Sequence, residues 1–156
     1  MRRELFRAWW PALAWMGVIA VESTGLLGSS NTASLLFPLL HWLWPNMPYE
    51  QMMEIHHILR KTGHVVGYGI LSWLCFRAWR ATLPNIHAWT LRWSALALAM
   101  TATVASLDEL HQYFTPGRTG LFSDVVLDTG AGLLVQLILF ASLRRSSSIP
   151  LGTRPH

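Results

Sequence analysis

Charge is what this 156-residue chain has least of: Asp, Glu, Lys and Arg make up only 13% of it. An ordinary soluble domain carries roughly 25%. With 52% of the residues hydrophobic, the shortage excludes such a domain and points to an integral membrane protein. Cysteine is nearly absent. The one residue, Cys75, sits in an apolar segment, so no internal disulfide forms and the redox compartment is not readable. Also missing are a nucleophile elbow, a phosphate-cradling glycine loop, a nucleotide motif and HExxH, and no cofactor and no metal is expected. A concentrated basic patch is lacking too. The pI is near 10.0, but Arg and Lys are scattered among apolar segments, which excludes nucleic acid as a partner. No internal repeat is visible, and the length allows one compact domain.

What the chain does have is long apolar stretches and nine tryptophans, a residue favoured at membrane interfaces. The composition and patterning predict an all-α, polytopic membrane protein with four transmembrane helices. The first runs from about Ala8 to Leu27, behind Arg2, Arg3 and Arg7. It looks like a signal peptide, but Ala20-Val21-Glu22 is a poor cleavage pattern, so it is read as a retained helix. Arg2-Arg3 reads as a topogenic anchor rather than a twin-arginine signal. Pro11 falls near the start of that helix, where proline is tolerated. The other three span about Leu59–Trp79, Thr90–Leu110 and Leu121–Leu143. Small residues (Ser94, Ala95, Ala99, Ala102, Ala105, Gly130-Ala131-Gly132) suit close helix approach.

Between Ser23 and Ile58 the apolar continuity fails, and Pro38, Pro45 and Pro48 punctuate the chain. Its apolar pieces are shorter than the ~20 residues a spanning helix needs. The expectation is an interfacial or re-entrant loop, ending in a short helix through Glu50 to His57. Neighbouring helical positions point about 100° apart, so His56 and His57 read as exposed polar residues rather than metal ligands. Residues 1–145 form the membrane domain and 146–156 a disordered cytoplasmic tail.

Orientation follows from the basic residues. With the N-terminus inside, Arg2, Arg3, Arg7, Arg77, Arg80, Arg92, Arg144, Arg145 and Arg154 are cytoplasmic, and only Arg60, Lys61 and Arg118 lie outside. The positive-inside rule therefore places both termini in the cytoplasm of the inner (plasma) membrane.

That topology brings the embedded polar residues to one level. Glu22 lies near the outer end of the first segment, and Lys61, His64 and Tyr68 open the second. Asp108, Glu109 and Gln112 close the third; Ser123, Asp124 and Asp128 begin the fourth. The inner halves hold almost nothing comparable. Spacings of three and four put Lys61, His64 and Tyr68 on one helix face over a rise of about 10 Å. Asp108 with Gln112, and Asp124 with Asp128, also share single faces. Lipid cannot solvate such groups, so the faces turn inward. Thr115-Pro116-Gly117-Arg118 reads as a turn that brings Arg118 back over Asp108, Glu109 and Asp124.

Each feature also has a plainer explanation. Lys61 and Arg118 neutralise carboxylates in a structural network, His64 is a hydrogen-bonded core residue, Tyr68 an interfacial anchor, and Gln112 and Ser123 bridge helices. The carboxylates nevertheless outnumber the two cations. Three outcomes satisfy the excess: a protonated carboxyl available as acid or base, a bound divalent cation, or a cationic or polyhydroxylated ligand.

The order Lys61-x-x-His64-x-x-x-Tyr68, Asp108-Glu109-x-x-Gln112, Pro116-Gly117-Arg118 and Asp124-Val125-x-x-Asp128-x-x-Gly resembles the VanZ-like family of small bacterial membrane proteins. The likeness covers roughly residues 15 to 140. Asp128 departs from it, since relatives commonly carry Asn there, and adds negative charge. The resemblance implies a membrane location, a shared polar site and a link to teicoplanin resistance, but no reaction. One function it allows is an outer-leaflet site that binds or acts on a lipid-linked cell-wall intermediate or a lipoglycopeptide among the membrane lipids. A second is a structural or partner-binding protein whose charges only lock helices together. A transporter is the weakest option, because the polar groups do not continue inward.

Overall fold

The computed structural model describes residues 2–24, 29–83, 85, 88–116 and 118–146. The described residues form five helices and no strand: α1 (Arg2–Ser23), α2 (Ser29–Leu43), α3 (Tyr49–Thr82), α4 (Leu91–Phe114) and α5 (Phe122–Ser146). The four long apolar segments of the sequence correspond to α1, α3, α4 and α5. Of the tail expected from residue 146, all but Ser146 lies outside the described residues, as does Leu27 at the expected end of the first segment.

Helices α3, α4 and α5 pack against one another pairwise, and α1 leans on α3 and α4. The seam is built from small side chains. Ala97, Ala105, Ser72 and Thr101 are buried along it. At Gly132 an added Cβ would meet Thr101 Cγ2 at 2.9 Å and Ser72 Cβ at 3.4 Å. Larger groups fill the end toward the α3–α4 connection, where Phe76 meets the Trp93 ring edge-on at 6.0 Å. Indole donors close that end: Trp9 Nε1 donates to Thr82 Oγ1 and Trp93 Nε1 to the Leu83 carbonyl, each at 2.8 Å.

The distribution of polarity is inverted relative to a soluble bundle. Ser72, Thr101, Asp108, Glu109, Gln112, Asp128 and Gln136 are buried, while Val126, Leu133, Leu134, Leu137 and Ile138 of α5 face outward. One helix among the described residues, over Phe122–Arg144, is by itself long and apolar enough to cross a membrane. The others of that length carry ionisable or polar groups that lower their mean hydropathy.

Two segments differ from the sequence reading. The stretch expected to be a loop contains α2, a 15-residue helix that touches only α3 among the described elements. The short helix expected through His57 is the first part of α3, which continues unbroken for 34 residues behind Pro48. At ~1.5 Å per residue α3 is about 50 Å long, well over the ~30 Å of a hydrocarbon core. It outruns α1, α4 and α5, which have 22, 24 and 25 residues, and α2 packs on it. Pro11 also differs: it stands inside α1, not near its start. Lacking an N–H, it leaves the Arg7 carbonyl without its helical donor, and Arg77 Nη2 donates to that carbonyl at 3.5 Å.

Candidate functional site

The site forms where the α4–α5 hairpin closes over the middle of α3. The turn is real: Arg118 N donates to the Thr115 carbonyl at 3.1 Å, although Gly117 lies outside the described residues. Gly120 then lies directly against the end of α4. An added Cβ would run into the Glu109 carbonyl oxygen and come within 2.8 Å of Tyr113 N, so only glycine fits. This close approach delivers Leu121 N to Glu109 Oε2, where it donates at 2.8 Å.

The faces predicted from spacing meet across three helices. Tyr68 Oη of α3 donates to Asp108 Oδ2 of α4 at 2.9 Å, and Gln112 Nε2 donates to the same oxygen at 3.2 Å. His64 Nδ1 lies 3.2 Å from Asp128 Oδ2 of α5. Lys61 Nζ reaches Asp124 Oδ1 at 3.5 Å. The His64 and Tyr68 rings are stacked with centroids 6.2 Å apart. Tyr68, Asp108, Glu109, Gln112 and Asp128 are all buried. Ser123 is exposed and reaches only its neighbour Asp124, at 3.4 Å, so it does not bridge helices.

Buried carboxylate oxygens normally have donors. Here Asp108 Oδ1, Glu109 Oε1 and Asp128 Oδ1 are buried without one among the described residues. The fixed cations are used elsewhere. Lys61 is on Asp124. Asp108 and Glu109 are near enough to stabilise the charge of Arg118, but among the described residues Arg118 hydrogen-bonds elsewhere. It crosses to the end of α1, where Nη2 donates to the backbone carbonyls of Glu22 and, at 2.9 Å, of Thr24. The physical reason is that the last carbonyls of a helix lack intrahelical donors and carry negative partial charge. Burial, with Arg60 next in effect, pushes the Arg118 guanidinium below its ordinary value.

Space adjoins this network on several sides. A cavity of about 180 Å³ is lined by Glu22, Thr32, Arg60, Gly63, His64 and Arg118. A second, of about 120 Å³, includes Lys61, His64, Gln112 and Asp124 in its wall. A groove of about 430 Å³ runs between α1 and α4 past Met16, Ile19, Ala20, Val104 and Leu107 to Asp108. A narrow gap shares Glu22, Gly63 and His64 with the first cavity and Ile19, Ser23 and Asp108 with the groove. Glu22 is exposed at this boundary.

Several contributors lie outside the residues singled out from the sequence. Arg60 lines both polar cavities; its signal was the helical spacing Arg60–Gly63–Gly67. Ser23 Oγ and His111 Nδ1 are 2.8 Å apart and tie α1 to α4. Deeper in, Gln136 Nε2 donates to Ser72 Oγ at 2.8 Å, so the inner half is less bare than expected. His56 is buried, not exposed, with Nε2 2.8 Å from Thr32 Oγ1 of α2; His57 is exposed.

Among protein families, the model described as VanZ/LLP1 matches residues 8–144. The chain belongs to the VanZ/LLP1 family. The match starts within α1 and ends within α5, so it takes in part or all of every helix among the described residues. No curated protein and no solved structure matches the chain.

Proposed function

We propose that this VanZ/LLP1 protein is a multi-pass protein of the bacterial inner membrane and that its polar site binds an amphipathic cell-envelope molecule at the outer leaflet. In this reading α1, α3, α4 and α5 cross the bilayer with both termini in the cytoplasm. The outward apolar side chains face lipid, and the indoles near Thr82 and Leu83 mark the inner interface. Helix α2 lies in the outer interface. At about 22 Å it is too short to span, and it exposes Leu35, Leu39 and Trp42.

The observation that supports the binding reading most is the run of adjoining spaces. A basic cavity with Arg60 and Arg118 in its wall shares His64, Glu22 and Gly63 with a narrow gap. The gap in turn shares Ile19, Ser23 and Asp108 with an apolar groove between two helices. An anionic head with an apolar tail fits such a sequence of surfaces, because guanidinium groups suit phosphate and carboxylate and the groove suits alkyl or prenyl chains. A lipid-linked cell-wall intermediate and a lipoglycopeptide both have that character. A purely structural network has no use for buried carboxylate oxygens that lack donors.

The reading extends to glycopeptide tolerance and predicts a graded effect. In a susceptible bacterial host expressing the protein, teicoplanin tolerance is expected to be lost in Glu109→Gln and Asp124→Asn at unchanged membrane levels. If every such variant instead only lowers the amount of protein in the membrane, the charges are a helix lock and the binding reading fails.

A further inference from the structure

Three donors from three different helices converge beneath the basic cavity. One ligand atom each from His64 of α3, Glu109 of α4 and Asp128 of α5 all lie within 4.8 Å of one another. No local spacing motif reveals such a set, which is why the sequence offers no metal-ligand pattern. We infer that His64, Glu109 and Asp128 bind one divalent transition-metal ion.

Distance, burial and charge support it separately. Donors on a single ion at ~2.1 Å sit roughly 3–4 Å apart, so closing the set needs shifts of about an ångström, within the reach of a Glu side chain. Glu109 and Asp128 are 5% and 0% exposed, and each has one oxygen with no donor among the described residues. Glu109 Oε2 is held by Leu121 N, and His64 Nδ1 and Asp128 Oδ2, 3.2 Å apart, exchange their mutual hydrogen bond for bonds to the ion. The side chains are thus pre-oriented with free lone pairs. Direct pairing does not balance the charge: Asp108, Glu109 and Asp128 are buried together, and among the described residues Asp128 has only His64 as an ion-pair partner while Asp108 and Glu109 have none. Burying unpaired carboxylates costs several kcal/mol each, and an ion of charge +2 offsets that cost.

The donor chemistry narrows the metal. One imidazole with two carboxylates is a poor cage for Ca²⁺ or Mg²⁺, which take oxygen ligands, and suits Zn²⁺ or Mn²⁺. Three protein donors leave positions for water or a ligand oxygen. An ion reaches the set through His64, which lines both polar cavities. The inference stands whether or not an amphiphile occupies the cavity above.

The test uses the full-length protein purified in detergent, stripped with chelator and titrated with Zn²⁺ or Mn²⁺, with bound metal counted after gel filtration. The expected result is one equivalent per chain and a raised thermal midpoint. Glu109→Gln and Asp128→Asn should each weaken binding at least about 10-fold while remaining monodisperse, and Glu54→Gln, an exposed acid on the first part of α3, should bind like the parent. Absence of a retained equivalent, or binding by Asp128→Asn and Glu109→Gln as tight as the parent's, overturns the assignment. In that case the carboxylates are satisfied by protons or the metal sits on surface histidines.

Discussion

Tyr68 shows how much a single hydroxyl carries in a dry interior. It is 2% exposed, and its Oη donates to Asp108 Oδ2, with Gln112 as the other donor to that oxygen. Tyr68→Phe keeps the ring and its stacking on His64 but removes one of the two donors. The expected cost is about 1–3 kcal/mol, read as a lower thermal midpoint in detergent. Gly132 and Gly130 form a second residue-scale test. Gly132→Ala pushes a methyl against Thr101 and Ser72 and should destabilise by about 1–3 kcal/mol. Gly130→Ala meets nothing within 4 Å and should be neutral or better, since alanine is the stronger helix former. At this scale the sequence was informative about faces and silent about partners. Helical spacing put Lys61, His64 and Tyr68 in line, because that depends only on the period of α3. Which carboxylate each one meets depends on how α4 and α5 are rotated against it. Arg118 could not be placed by spacing at all, because its partners are backbone carbonyls on α1.

At the scale of elements, the long apolar segments were legible because each is a continuous run whose burial needs no special partner. Helix α2 was not. Pro38 and the polar residues near its start give it little intrinsic claim to be helical, and it is held by contact with the first turns of α3. That contact centres on His56, which bonds to Thr32 and meets the Phe37 ring edge-on at 6.1 Å. Burial first, then Arg60 and His57, lower the His56 pKa. A histidine with a lowered pKa contributes full stability above the ordinary imidazole value. It loses that contribution as pH falls through that value toward its own, because the unfolded chain takes up the proton first. Taking the pH from about 7.5 to about 5.5, across the ordinary value of ~6.5, should therefore loosen α2. The thermal midpoint of the parent should fall more than that of His56→Gln, and equal slopes would remove His56 from the contact.

At the scale of the molecule, the inverted polarity and the clustering of the buried carboxylates Asp108, Glu109 and Asp128 at one end belong together: in the proposed membrane setting, buried charge is kept between helices. The proposed topology has a direct consequence. Cys75 is buried, so single exposed cysteines report sidedness without background. Thr119→Cys in the α4–α5 hairpin should react with a membrane-impermeant maleimide in intact cells. Ala81→Cys at the far end of α3 should react only after lysis, and the reverse order would turn the protein over. The one-level arrangement of the polar residues was readable from the sequence because it needs only the alternation of helix direction. The cavities beside them were not, since they arise from gaps between separate helices and the α4–α5 hairpin. The most direct measurement on the proposed function is an equilibrium titration of the purified protein with a polyisoprenyl phosphate. Saturable binding is predicted, weakened at least about 10-fold, roughly 1.4 kcal/mol, both by Arg60→Gln in the basic cavity and by Ala20→Phe in the apolar groove. Non-saturable partitioning, or affinities that neither substitution changes, would contradict it.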